Sequence, residues 1–457
     1  MNFSAFLAEA VEIVWGLPLI ILLLGGGIYL VAISRLKTLA GFFHAFRLIS
    51  GKFHHKNDNE SKGQISHFKA LTNALSSTVG MGNVAGVAVA ISQGGPGAIF
   101  WMWVGALIGM NTKFFECTLA VMYRRNDHHG EIQGGPMYTI IEALPKYMHF
   151  LAYFFAGAGL IGSLGVFNTN QMATFMASNY SIPTHITGIL AAVLLVYILM
   201  GGVKRIGEAT SKLVPAMCTL YIGCALVIII MNFGNVADVF ALIFKEAFAG
   251  RAAVGGVSGL AVIHIFKTGI KRATYSNEAG VGSAPMAHGN AKTSEPVAEG
   301  LVAMVGPFID TIIVCTMTSI VILSSLSPAE LQESNGVLIT QMAFMKNFGM
   351  AGSHLLGISI ILFALSTVIG SANYCEKCWD FLFGGVPIMG ARLTFALFYA
   401  STVLLGAVSA PTDMVNAMDI GFALMAIPNM IATIALAPKV KHKFDEYYEK
   451  YIRKSAA

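Results

Sequence analysis

The chain has 457 residues, 55% of them hydrophobic and only 12% charged. Soluble domains carry about 25% charged residues, so this composition, with a mean hydropathy of +0.68, excludes an ordinary soluble enzyme and implies a polytopic membrane protein. The net charge of +5 is carried by loops and the tail, which points to anionic lipid and membrane topology and to no nucleic-acid partner.

The N-terminus opens with Glu9 and Glu12, not with the Lys or Arg of a signal peptide, so the first apolar run is expected as a retained span. Windows of about 20 apolar residues predict eleven spans, at 11–34, 67–92, 96–123, 148–179, 184–201, 210–232, 254–288, 295–324, 352–383, 389–410 and 411–436. The last two are separated by little more than Ala410-Pro411 and are expected as a tight helical hairpin. The stretch 34–50 pairs basic and aromatic residues at helical spacing, which suits a surface helix or a plain linker. The segment 444–454 reads as a solvated tail helix.

Lys and Arg alternate between loops. Arg35, Lys37, Arg47, Lys52, Lys56 and Lys62 follow the first span, Arg124-Arg125 the third, Lys204, Arg205 and Lys212 the fifth, and Lys439, Lys441, Lys443, Lys450, Arg453 and Lys454 end the chain. Lys245 and Arg251, after the sixth span, are the weakest fit. The alternation predicts an external N-terminus and a cytoplasmic C-terminus.

Two spans are interrupted in polar fashion, at "STVGMGN" (77–83) and at "TYSNEAGVGSAP" (274–285). The second break follows the first by five spans. The chain therefore divides into an N-terminal helix with a basic loop (1–66), a five-helix unit opening with a broken helix at 67–92 (67–232), a second, inverted unit opening with a broken helix at 254–288 (233–438), and a tail (439–457). Interrupted segments at matching positions of two inverted halves point to a transporter's binding site.

Open backbone at membrane depth is tolerated only inside protein or beside water. Half-helix amides suit a carboxylate, and carbonyls suit a hard cation such as Na⁺. A zwitterionic amino acid with a co-transported cation satisfies both. The first break offers Asn73, Ser76, Ser77, Thr78 and Asn83 beside Gly80 and Gly82, and the second offers Thr274, Tyr275, Ser276, Asn277 and Glu278 beside Gly280 and Gly282. In an inverted repeat the ninth span passes the first break, and its adjacent Ser366 and Thr367 complete an oxygen site for sodium with Gly80 and Asn83. Asn168, Asn170 and Gln171 of the fourth span are candidate pocket amides.

Each feature also has a plainer reading. Ser366 and Thr367 can bond back to their own helix, Gly86 can serve close packing, and Asn168 and Asn170 can join helices. Glu278 can carry a proton, pair a cation or hold the break together, and Lys271 and Arg272 can pair with it or face a cavity. Glu116, Asp310 and Asp419 are single carboxylates within or near spans, which default to functional hypotheses. Cys375 and Cys378 have metal or redox spacing but no second pair, so a packing role is expected. There is no P-loop, no Gly-x-Ser-x-Gly elbow and no His-Glu-x-x-His, so neither direct ATP drive nor an enzyme is indicated.

The runs "NALSSTVGMGNVAGVAVAISQGGPGAIFWMW", "GEIQGGPMYTI" and "TYSNEAGVGSAPMAH", with "MYRR" and "YCEKCWDFLFG", resemble the alanine or glycine:cation symporter family over nearly the whole chain. The resemblance implies a leucine-transporter-like fold of two inverted five-helix repeats plus an N-terminal helix. It also implies Na⁺-coupled, or in some members H⁺-coupled, uptake of small neutral amino acids such as alanine or glycine, with no cofactor beyond the coupling ion. A plasma-membrane location, the inner membrane of a bacterium, follows. By motif, the solute's carboxylate falls to Gly80, Gly82 and Asn83 with Ser77 or Thr78, and the second break supplies Tyr275, Ser276, Asn277 and Gly280. Met81 stands where a small polar residue is expected and Ser371 near an expected aromatic, so both bear on pocket size. An ion channel, a non-transporting nutrient sensor and a membrane enzyme are the rival readings.

Overall fold

The computed structural model describes residues 3–53, 63–126, 132–249, 258–332, 336–388 and 391–453. Lys56, Lys62, Arg251 and Lys454 of the charge pattern, and the start of the span expected at 254, lie outside them. Among the described residues the fold is helical, apart from a two-stranded ribbon pairing Arg125–Asn126 with Ile132–Gln133. Among the described residues seven helices are long and apolar enough to cross a membrane, and the bent pair His67–Thr78 and Gly82–Gly94 is an eighth candidate. Thr184–Leu199 and Arg392–Val408 are apolar but shorter. Ser258–Asn277 carries Lys267, Lys271 and Arg272, so apolar length alone does not return the expected eleven.

Several expectations are corrected. The charged stretch 202–212 is no loop: it is the first turns of one helix, Gly202–Met231, because Lys204, Arg205 and Lys212 suit a helix projecting beyond the apolar layer. The fourth span is interrupted between Phe150–Gly162 and Val166–Tyr180. There Gly165 lets the chain pass close to Val368 and the Tyr399 hydroxyl. The connections hold three further helices, Pro136–Ala143, Phe233–Ala249 and Val337–Phe348. Helix Arg392–Val408 packs on Val166–Tyr180 and Thr184–Leu199, whereas Pro411–Tyr447 packs on Phe150–Gly162 and the N-terminal helix, so the tight turn between them makes no packed hairpin.

The tail is docked, not solvated. Phe444, Tyr447 and Ile452 are buried, His44 bonds the Tyr447 hydroxyl at 2.9 Å, and the Tyr451 hydroxyl donates to Glu295 at 3.1 Å. The stretch 34–50 forms the short helices Lys37–Ala40 and Phe42–Ile49, with Ala45 and Leu48 buried.

What positions the site is the long helix Met350–Phe383. It packs on the first half-helix His67–Thr78, on Gly202–Met231 and on Val166–Tyr180. Helix Gly97–Met122 lies against Ser258–Asn277 and Pro296–Ala303. The half-helix starting at His67 and the one ending at His288 meet at one face of the molecule through an Ile65–Ala291 backbone bridge. This is the face of Arg124, whose guanidinium donates to the carbonyls of Ala291 and Thr293 at 2.8 Å. We refer to it as the basic face.

Candidate functional site: two breaks and a pair of open hydroxyls

The first half-helix ends because Val79 turns to extended backbone and two glycines flank Met81 within the next three residues. The chain resumes after a bend of 49° as a π-turn, Gly82–Gly86. Asn83 braces the gap: its Oδ1 accepts the Gly80 amide at 2.8 Å. Gly80 is needed here, since a Cβ on it would lie 2.0 Å from Thr367 Oγ1. A Cβ on Gly82 would meet the Tyr275 ring at ordinary van der Waals distance.

The hydroxyls around this break divide into two sets. Ser76, Ser77 and Thr78 bond back to Asn73 O, Ala74 O and Ala74 O at 2.7, 2.8 and 3.3 Å, and Ser77 also donates to the Tyr374 hydroxyl at 2.9 Å. Ser366 Oγ and Thr367 Oγ1 are buried and have no hydrogen-bond partner among the described residues. The plainer reading, back-bonding to their own helix, does not apply to them. Buried hydroxyls are nearly always paired, so the open Thr367 hydroxyl at the helix break, with the open Ser366 hydroxyl next to it in the chain, stands out from its surroundings.

The second break satisfies itself. Ser258–Asn277 ends at Glu278, whose φ is 54°, and Gly280 and Gly282 are left-handed at 83° and 89°. Asn277 is consumed in the turn: Oδ1 accepts the Ala279 amide at 3.0 Å and Nδ2 donates to Thr311 Oγ1 at 3.1 Å. Ser283 Oγ donates to the Glu278 carboxylate. Asn429 donates to Gly280 O at 2.9 Å and to Glu116 at 2.8 Å. Gly280 packs on Leu23 and Met430. Of the residues expected here for the solute, Asn277 and Gly280 are thus committed to the turn and to helix packing, while Tyr275 and Ser276 face the first break.

Asp310 joins the two breaks, and sequence reading left it as a single carboxylate. It sits in a π-helical stretch, Phe308–Cys315. Its Oδ1 accepts Asn83 Nδ2 at 2.7 Å, and its Oδ2 accepts Ser276 Oγ at 2.5 Å and Thr311 Oγ1 at 2.8 Å. Asn83 Nδ2 also lies 3.0 Å from Asp310 O and 3.3 Å from Cys315 Sγ. The signal for it was a carboxylate five residues before Cys315 in an apolar run, which alone names no partner.

Both approaches are closed. Away from the basic face, Tyr275 meets Phe167 and Phe422 with ring centroids 5.6 and 5.7 Å apart. Beyond it Lys271 and Arg272 reach Asp419 at 2.5 and 3.5 Å, so these cations pair with Asp419 and not with Glu278. At the basic face, Glu299 is shared by two buried histidines, His67 and His288, through their Nδ1 atoms, the latter at 2.5 Å. The backbone bridge beside them is completed by Gln64 N to Asn290 O at 2.8 Å and Lys292 N to Ile65 O at 2.7 Å.

Other expected residues lie further out. Gln171 borders Gly336, which also lies near Ala85 of the first break's π-turn. Asn170 holds the carbonyls of Gly406 and Ser409 at 2.9 and 2.7 Å and so joins helices. Ser371 lies one turn from Thr367, Asn73 two turns before Gly80, and Met81 is fully buried. His264 bonds the Gln93 carbonyl at 3.2 Å. Cys375 and Cys378 are free and buried, and Cys378 lies against Met286.

A multi-pass helical protein with two broken helices meeting at a buried polar centre belongs to the class of membrane transporters with a leucine-transporter-like fold. MhsT, solved in complex with L-phenylalanine, superposes with a TM-score of 0.59 over 83% of this chain and 98% of that one, at 16% identity. The chain belongs to the sodium:alanine symporter family, whose profile matches residues 1–456. It is 39% identical to the sodium/alanine symporter AgcS of Methanococcus maripaludis, over 100% of this chain and 99% of that protein. It is 40% identical to an uncharacterized transporter of Haemophilus influenzae (98% and 97% covered) and 34% identical to the probable sodium/glutamine symporter GlnT of Bacillus subtilis (95% and 89% covered). It is therefore a transporter and not an enzyme, and its family moves amino acids with sodium as coupling ion and no cofactor.

Proposed function

We propose that this protein is a secondary active symporter that couples inward Na⁺ movement to uptake of small neutral amino acids such as alanine or glycine, by alternating access. It crosses the inner membrane of a bacterium eleven times as two inverted five-helix units after an N-terminal helix, with the N-terminus outside and the basic face in the cytoplasm. Sodium sits between the first break (Gly80, Asn83) and Ser366/Thr367, and orders the break. The amino acid then bridges the breaks, its carboxylate on the amides near Gly80, Gly82 and Asn83, with Tyr275 as roof and Ser77, Thr78, Met81, Gln171 and Ser371 at the pocket's edges. Inward Na⁺ gains about 2.3 kcal/mol per charge per 100 mV, enough with a gradient to accumulate solute.

The observation that carries this reading is the open Thr367 hydroxyl facing Gly80, with a second open hydroxyl, Ser366, next to it in the chain. They form a neutral oxygen set that suits a hard monovalent cation. The test is uptake of labelled alanine into proteoliposomes under Na⁺, Li⁺ or H⁺ gradients, with a competition panel of amino acids. Saturable uptake that needs the Na⁺ gradient is expected. Unsaturated ion flux would make the protein a channel.

One observation favours a proton-coupled alternative: Asp310, an ionisable group bonded to both breaks. Uptake driven by H⁺ alone and abolished in Asp310→Asn would decide for it.

A further inference from the structure

The first half-helix and the long helix run antiparallel along one seam. Gly80 lies against Thr367, Gly370 packs on Ser76 and Ser77, and Tyr374 bonds Ser77. Residues three and four apart share a helix face. Asn73, three and four residues before Ser76 and Ser77, and Asn373, three after Gly370, therefore both face this seam. Both are fully buried, and all four side-chain amide atoms, Asn73 Nδ2 and Oδ1 and Asn373 Nδ2 and Oδ1, have no partner among the described residues.

A buried side-chain amide with neither end bonded is costly and rare, and two on facing helices are not explained by packing. Helical rise gives their place. The five helical steps from Thr78 back to Asn73 span about 8 Å, and the six from Thr367 to Asn373 about 9 Å, so the amides form one layer, displaced from the hydroxyls toward the basic face. Six residues further along, again about 9 Å, stands the closure of His67, Glu299 and His288. Glu278 also interacts with Ser77 at the edge of the seam. Lys377, one turn beyond Asn373, donates to Gln133.

We propose that Asn73 and Asn373 form a second binding layer for the coupling cation, occupied in transit between the hydroxyl pair and the basic face. An ion stripped of water needs replacement ligands along this seam, where the Ser76, Ser77 and Thr78 hydroxyls are already bonded to their own helix. Two amide oxygens and the water they hold supply them midway. Neutral amides suit a transit layer, since they bind a monovalent cation weakly enough to let it go. This rests on the symporter reading above, and it removes Asn73 from the solute's own contacts.

The test replaces each amide by its apolar isostere, Asn73→Leu and Asn373→Leu, in the full-length protein in proteoliposomes. If the amides serve packing alone, relieving unpaired polar groups leaves turnover unchanged. If they serve transit, unfolding temperature rises while Na⁺-driven turnover falls about tenfold, and half-saturation by external Na⁺ stays near the wild-type value. Asn373→Asp, which retains a cation more tightly, also slows turnover. Asn73→Ser and Asn373→Ser, smaller and still polar, serve if a leucine variant does not fold, and are expected to lower turnover less. Wild-type turnover in the folded variants overturns the proposal. So does a Na⁺ half-saturation that shifts by the same factor as turnover, which would place the amides in the hydroxyl site. A wild-type protein without Na⁺-dependent uptake would overturn the symporter reading itself, a separate result.

Discussion

The two breaks look alike in sequence and differ in what they face. At the second, the turn's polar groups are spent on itself and its neighbours: Asn277 on the Ala279 amide and Thr311, Glu278 on Ser283, the Gly280 carbonyl on Asn429. At the first, Asn83 braces Gly80, and the hydroxyls of Ser366 and Thr367 opposite remain open. Both breaks close their own side-chain hydrogen bonds. The difference lies in what they face: the first lies against an open hydroxyl of the neighbouring helix, and an unmade buried bond costs about 1–3 kcal/mol. The comparison teaches that glycine count does not single out the working half, whereas an open hydroxyl set directly against a break, Thr367 on Gly80, points to it.

The sharpest way to break this contrast is a methyl group at each break. Gly80→Ala puts a Cβ 2.0 Å from Thr367 Oγ1 and fills the cleft between break and hydroxyls. The protein is expected to assemble and uptake to fall on the order of a hundredfold, the scale of an atomic misplacement of about 1 Å in a working site. Gly280→Ala meets left-handed backbone and Leu23 Cδ2 at 2.7 Å, so the yield of monodisperse protein is expected to drop. Equal loss of yield in both variants would erase the distinction.

Next in size is Ser366→Ala with Thr367→Ala. A hydrogen-bond-strength contact to a charged group contributes about 1.5–3 kcal/mol, so half-saturation by Na⁺ is expected to rise about tenfold or more. Alanine affinity at saturating Na⁺ should stay within a few-fold. Wild-type Na⁺ dependence in this double variant would remove the cation from the seam.

Much of this was legible in the sequence, for a physical reason. Glycines beside hydroxyls and amides in an apolar run contradict a continuous helix locally, so both breaks stand out in the sequence, and the Ser366-Thr367 pair follows from asking which span of an inverted repeat passes the first break. Asp310 did not stand out, because its meaning lies in partners 227 and 34 residues away, Asn83 and Ser276. The direction of Gly280 was hidden for the same reason: the residues it meets, Leu23 and Met430, are remote. Hydropathy windows also end a span where charge begins, so they mistook the projecting turns of Gly202–Met231 for a loop and the docked aromatic tail for a solvated one.

A smaller effect is expected at the basic face, where both broken helices end. Glu299→Gln keeps the size of the shared group but removes the charge that His67 and His288 both contact. Charge-assisted bonds are roughly twice as strong as neutral ones, so the closure should weaken without the fold being lost. The Ser77→Cys variant, its new thiol inside the seam and beyond this closure, is expected to react with an impermeant thiol reagent from the basic side about tenfold faster when combined with Glu299→Gln, given a lost contribution near 1.4 kcal/mol. Unchanged labelling would mean that the backbone bridge from Ile65 to Ala291 holds this end shut without the carboxylate.

The smallest effect tests whether the second break is as inert as its bonding suggests. Ser283→Ala removes one donor to Glu278 and touches neither the hydroxyl pair nor Asn83. A single buried hydrogen bond contributes about 1 kcal/mol, with the Glu278 carboxylate left short of one partner, so the variant should unfold at a lower temperature. Na⁺ and alanine half-saturation should both remain at wild-type values, because a scaffold that loses one brace still presents the same Ser276 and Tyr275 to the first break. If Na⁺ half-saturation instead rises with the loss of that hydroxyl, Glu278 is acting on the ion through Ser77, and the second break shares the work of the first.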